Sequence, residues 1–291
     1  MLKHRIISGC LLGAALVLAA NFLGTFGILL LLVGVSSFAQ LEFYGMLRRA
    51  GIPSFRVLGT VCGAALIAVT FFSAAGEEGN TAAAYQWQNF VLIGSLIAVF
   101  VRQFPQKHND RPLETIACTL LGIWYVPFLL NFFTHLVFAR GEGGSTLRVG
   151  ETGRMLALYL VVIIKSGDIG AYFVGTFLGR HKLMPRISPG KTWEGFCGGI
   201  AFSVLASCLF SLLGECHLGR IVFGYRHAIL LGALLSVVGV VGDMFESLLK
   251  RAAGAKDSSS TIPGMGGLLD VVDSVLFGAP VLYVYMKMFL T

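Results

Sequence analysis

The chain has 291 residues, of which 56% are hydrophobic and only 13% charged, about half the roughly 25% charge of an ordinary soluble domain. That shortage, with a mean hydropathy of +0.79, excludes a soluble globular enzyme and an intrinsically disordered chain. The net charge of +7 does not point to nucleic acid, because excess Lys and Arg is the ordinary mark of an oriented membrane protein.

A helix needs about 20 mostly apolar residues to cross the hydrocarbon core. Such stretches are predicted at 6–24, 26–46, 56–75, 88–101, 114–138, 155–178, 194–213, 227–249 and 268–289. The expectation is an all-α polytopic membrane protein of about nine helices, with eight or ten as alternatives. The first stretch follows Lys3-His4-Arg5 and lacks a clear small-residue cleavage site, so it is read as an uncleaved anchor. The fourth is short, and the fifth is long enough to tilt or break around Pro127. With the N-terminus inside and the sides alternating, the inner segments hold 15 Lys and Arg residues. The outer loops hold five: Arg140, Arg148, Arg154, Arg220 and Arg226. That bias sets the N-terminus in and the C-terminus out. The six cysteines form no CxxC pair, so disulfide and zinc readings fail on spacing. No linker or repeat divides the chain. Residues 1–150 are read as a scaffold of helices, and 151–291 as a catalytic region with two cytoplasmic loops, in one structural unit.

The first 150 residues hold little that asks for a chemical explanation; the remainder differs. Lys165 and Asp168, then Asp243, Glu246 and Lys250, then Asp270 and Asp273 lie within spans or at their inner ends. Charge at membrane depth costs about 2.5–3.5 kcal/mol per residue and marks function by default. At 1.5 Å per residue, Asp168 lies roughly 20 Å along its span and Asp243 about 24 Å along its own, both toward the inner face. Asp270 and Asp273 open the last span at that same face. Asp243, Glu246 or Ser247, and Lys250 recur at helical intervals and share one side. Two bland alternatives stay open: a self-neutralising Lys165–Asp168 pair, and interfacial caps for the other acids. Acids on two helix ends beside a basic loop fit a divalent cation with phosphates.

Two loops face that side. Arg180 to Gly195 carries Arg186, Ser188, Lys191, Thr192 and Trp193. Its Gly190-Lys191-Thr192 is no Walker loop, since position 185 is Pro where that motif requires Gly. A plain topogenic basic patch is the alternative. Lys250 to Gly267 carries Arg251, Lys256 and Asp257, and its glycines at 264, 266 and 267 let backbone amides approach an anion. A flexible hairpin is the alternative there.

Three of these stretches together resemble the motifs of the phosphatidate cytidylyltransferases, or CDP-diacylglycerol synthases. They are Ser166-Gly-Asp168-Ile-Gly-Ala-Tyr172, Ile187-Ser-Pro-Gly-Lys191-Thr-Trp193-Glu-Gly195, and the run from Gly242-Asp243 through Lys250-Arg251 and Lys256-Asp257 to Pro263-Gly-Met-Gly-Gly267-Leu-Leu-Asp270-Val-Val-Asp273. The resemblance covers about residues 160–280. It implies the reaction of CTP with phosphatidate to give CDP-diacylglycerol and pyrophosphate, with no protein nucleophile. It also implies Asp243 and Asp270 as ligands of Mg²⁺, with a potassium ion nearby. Asp243, Asp270, Lys250 and Asp273 are the expected catalytic residues. Asp168, Ser188, Lys191, Arg251, Lys256, Asp257, Gly266 and Gly267 are expected to bind substrate. A bacterial inner membrane, a cytoplasm-facing site and a homodimer are further implications. Met265 and Val271 stand where the family usually has His and Arg, which bears on phosphate binding. The competing readings are a CTP-dependent lipid or polyprenol kinase, which would release CDP, and a transporter. The latter is disfavoured by acids lying at one face and by the lack of a repeat.

Overall fold

A computed structural model describes residues 24–75, 81–106, 109–139, 150–255, 258–259 and 266–290. Residues 6–23 of the expected first span, the site candidates Lys256 and Asp257, and Met265 lie outside these. Nine helical segments follow in order: α1 (Gly24–Arg49), α2 (Arg56–Ala75), α3 (Thr81–Gln103), α4 (Pro112–Ile123), α5 (Leu129–Val137), α6 (Glu151–Phe177), α7 (Trp193–Leu213), α8 (Tyr225–Ala252) and α9 (Leu268–Phe289). The all-α expectation holds.

Seven described helices, with α4 and α5 joined as one, are long and apolar enough to cross a membrane. Helix α3 is not among them; the polar run Tyr85-Gln86-Trp87-Gln88-Asn89 lowers the hydropathy of its described residues. The break expected at Pro127 is a π-helical turn, Trp124–Phe128, between α4 and α5. Proline lacks the amide for the helical ladder and its ring crowds the preceding turn, so the helix widens there without stopping. Two short antiparallel hairpins were not legible as periodic pattern. β1 (Lys182–Met184) pairs with β2 (Ser188–Thr192), and β3 (His217–Leu218) pairs with β4 (Ile221–Val222).

Lipid hydrocarbon is as apolar as leucine, so helices in it associate through close packing and polar contacts. Helices α6 and α7 approach through small residues: a Cβ added at Gly198 would run into Val174, and one at Gly170 into Phe202. Helix α7 then spends three buried serines, spaced four apart, on its neighbours' carbonyls. Ser203 donates to Ile163 O at 3.0 Å, Ser207 to Ala228 O at 2.7 Å, and Ser211 to Phe223 O at 2.7 Å. The N-terminal helices are knitted in the same way. Gln40 Nε2 donates to Gly59 O at 2.9 Å, Tyr44 OH to Thr119 O at 2.7 Å, and Asn131 Nδ2 to Thr70 Oγ1 at 2.9 Å. Tyr85 and Tyr283 join α3 to α9 through their hydroxyls. The apolar core runs through Phe43, Tyr44, Leu160, Ile164, Leu235, Leu276 and Leu282, while Leu30, Val57, Leu205 and Leu230 face outward. An apolar exterior of this kind suits lipid.

Candidate active site

The end of α1, the C-terminal half of α6, the β1–β2 hairpin, the end of α8 and the start of α9 come together at one end of the bundle. Each arrives for a local reason. Thr192 ends β2 and caps α7, its Oγ1 accepting from Gly195 N at 3.1 Å, as an N-cap threonine does. Glu194 holds the hairpin base, accepting from Arg180 N at 3.1 Å and lying 2.6 Å from His181 Nδ1. The hairpin so fixed carries Lys191, whose Nζ is 2.7 Å from Asp243 Oδ2. At the start of α9, Gly267 N donates to Asp270 Oδ2 at 2.7 Å, one half of a capping box.

The carboxylates divide into two kinds. Asp270 is fully engaged: Oδ1 takes Lys250 Nζ at 2.7 Å, and Oδ2 takes Gly267 N, Ser258 N at 3.3 Å and Ser258 Oγ at 2.9 Å. Asp243, Glu246 and Asp273 form the other group, with one oxygen from each lying within 4.8 Å of the others. Asp273 is buried, and its Oδ1 accepts from Ser274 N at 2.5 Å. Glu246 is 1% exposed; its Oε2 lies 2.5 Å from Lys250 Nζ, the ammonium it shares with Asp270. Lys165 spans to Asp168 Oδ2 at 3.3 Å and to Val271 O at 3.2 Å on α9.

Of the expected residues, Asp168, Lys191, Asp243, Lys250, Asp270 and Asp273 thus stand in one cluster. Gly266, with φ of 92°, and Gly267 close the loop before α9. Ser188 lies on β2 opposite Met184, and Arg251 is exposed on the last turn of α8. Asp243 and Asp270 were expected to share a cation; Glu246 and Asp273 are grouped with Asp243, and Asp270 adjoins them through the Lys250 ammonium that it shares with Glu246. Five carboxylates (Asp168, Asp243, Glu246, Asp270 and Asp273) face three ammonium groups (Lys165, Lys191 and Lys250). Formally two negative charges are left over. Carboxylates held this close repel one another, and a divalent cation is a complement such a donor set fits.

Sequence reasoning missed two residues of α1. Glu42 accepts from Ser259 Oγ at 2.6 Å and from Leu269 N at 2.9 Å, and the Arg49 guanidinium donates to the Ser258 carbonyl. The available signal was a carboxylate inside the apolar run 26–46, to which the membrane-depth argument applies equally.

A profile of the Cytidylyltransferase family matches residues 3–289. The chain is 35% identical to the phosphatidate cytidylyltransferase of Bacillus subtilis over 181 residues, 62% of either chain. It is 30% identical to that of Haemophilus influenzae over 305 aligned positions, 96% of either chain. With that of Pseudomonas aeruginosa it shares 44% over 140 residues, 48% of this chain and 50% of the relative. Against the Bacillus subtilis and Thermotoga maritima relatives, the match spans 62% and 63% of their length.

Proposed function

Because the chain belongs to the cytidylyltransferase family, we propose that it converts CTP and phosphatidate into CDP-diacylglycerol and pyrophosphate. The observation that carries this reading is the cluster itself: three carboxylates on α8 and α9 within 4.8 Å of one another, ringed by lysines from α6, β2 and α8. A phosphatidate phosphate oxygen attacks the α-phosphorus of CTP in line. A new P–O bond forms, the bond from the α-phosphorus to the bridging oxygen breaks, and pyrophosphate leaves with that oxygen.

The chain's part is to bind, orient and neutralise. Lys191, 22% exposed and anchored on Asp243, is the ammonium most open to an incoming phosphate. Lys250 is held between Glu246 and Asp270, where it fixes the junction of α8 with the loop. Arg251, Lys256, Asp257, Ser188 and the amides at Gly266 and Gly267 complete the substrate contacts by their motif positions. Asp168 keeps Lys165 facing the cluster. Asp243, Glu246 and Asp273 would hold Mg²⁺, which supplies charge neutralisation at the phosphate oxygens when bound. Asp270, the other ligand that the resemblance implies, adjoins them through Lys250 and also anchors the loop. The potassium ion and the homodimer are carried by the resemblance alone. A site toward the cytoplasm is supported by the Lys and Arg bias of the loops, and a bacterial inner membrane by the bacterial origin of the relatives.

The test is purified protein in mixed micelles with labelled CTP and phosphatidate, with and without Mg²⁺. Labelled CDP-diacylglycerol and pyrophosphate are expected only with the metal. Release of CDP, or no lipid product, overturns the reading.

A further inference from the structure

Glu42 is a carboxylate 9% exposed near the end of a membrane helix. Among the described residues its hydrogen bonds run to the α8–α9 loop and to the first turn of α9, more than 200 residues away. Oε1 takes the Ser259 hydroxyl, and Oε2 takes the Leu269 amide. Leu269 sits in the first turn of α9, where amides lack helical partners and a negative charge is favoured by the helix dipole. Glu42 and Asp270 share that task, on the amides of Leu269 and Gly267 respectively.

Two further features aim α1 at the same place. Arg49, two helical turns beyond Glu42 and so on the same side, holds the Ser258 carbonyl. Gly267 leaves the space: a Cβ there would run into the Ser258 hydroxyl and the Glu42 carboxylate. The loop is therefore gripped on both flanks, at Ser258–Ser259 and at Gly267–Leu269, by one helix from the N-terminal half. The same Ser258 donates to Asp270, which in turn holds Lys250.

We propose that Glu42, assisted by Arg49, is a positioning residue that clamps the α8–α9 loop and thereby sets the affinity for nucleotide. It touches no reacting atom; it acts through Ser258, Ser259 and the start of α9. The inference rests on the reading above for the nucleotide being CTP.

The full-length protein in detergent tests it by two independent measurements. Hydrogen exchange is followed on peptides spanning Ser258 and Leu269, and CTP kinetics at saturating phosphatidate separate KM from kcat. In Glu42→Ala, exchange at both positions is expected to speed up and KM for CTP to rise about tenfold with kcat changed less than about threefold, the scale of losing charge-assisted hydrogen bonds. Glu42→Gln keeps a carbonyl for Leu269 N and an amide that the Ser259 hydroxyl can accept from, so its KM is expected to stay near wild type. Should Glu42→Ala fail to fold, Ser259→Ala, which removes one contact of the clamp, is expected to show the same KM shift in smaller degree. Unchanged exchange and unchanged KM in an active protein overturn the clamp and leave the proposed reaction standing. A wild type without cytidylyl transfer whose Glu42→Ala loop still exchanges faster defeats the reaction and upholds the clamp.

Discussion

Replacing Lys250 by Met probes the charge pattern of the cluster most sharply, because the two carboxylates that share its ammonium differ in what remains to them. Lys250 lies 2.5 Å from Glu246 and 2.7 Å from Asp270, and all three side chains are at most 14% exposed. Asp270 keeps three donors after the change, Gly267 N, Ser258 N and Ser258 Oγ. Glu246, 1% exposed, has among the described residues no amide or hydroxyl donor of the loop to take the place of the ammonium. The destabilisation therefore falls on Glu246, at about 3–5 kcal/mol for breaking a buried pair. That corresponds to a loss of roughly 6 °C or more in thermal midpoint for a chain of this size. Midpoints of detergent-solubilised protein, read by size-exclusion chromatography after heating, give the measurement. Adding Glu246→Gln to Lys250→Met is expected to recover most of the loss, whereas adding Asp270→Asn, which removes only a neighbouring charge, is expected to recover clearly less. Equal rescue by both, or a Lys250→Met protein as stable as wild type, would refute the assignment of unequal partners.

Asp243→Asn is expected to lower turnover by at least about 100-fold, the scale of removing a group that stabilises transition-state charge, while the protein still inserts; full activity in the assay above would sink its role. Thr192→Ala removes the α7 cap and is expected to cost about 1 kcal/mol, or roughly 2–4 °C in midpoint, with Thr192→Ser near wild type. Gly198→Val, forced against Val174, is expected to cost about 1–3 kcal/mol by overpacking, visible as a lower midpoint and yield; an unchanged midpoint would show that α6 and α7 can part freely.

Most of the cluster was legible from the sequence because charge in a hydrophobic run is rare, and helical spacing then assigns faces. Asp243 and Glu246 on one helix and Asp270 and Asp273 on the next needed no further information to be brought to one end. Which carboxylate stays open did need it. Asp270 is occupied by amides and a hydroxyl of the adjoining loop, and such donors leave no periodic trace. Glu42 escaped for a different reason: a single acid with no polar neighbour three or four residues away does not show where it points, and its partners lie more than 200 residues on. The β1–β2 hairpin is too short for alternation to declare it, yet it delivers Lys191. Helix α3 illustrates the converse. Its polar run lowers its hydropathy, but Gln88 is buried and lies 3.0 Å from His135 Nε2, so that residue serves packing between helices.

The serines of α7 bear on how Lys191 is aimed. A helix with apolar residues all round has no preferred rotation about its own axis in lipid, since every face is equally soluble there. Ser203, Ser207 and Ser211 act as a key in a slot: turning the helix by one residue, about 100°, would break all three bonds at once. The β1–β2 hairpin is continuous with α7 through Thr192, so the angular setting of the helix is also the bearing of the hairpin. The direction in which Lys191 meets Asp243 is thus fixed in part by hydroxyls buried about three to five turns further along the helix.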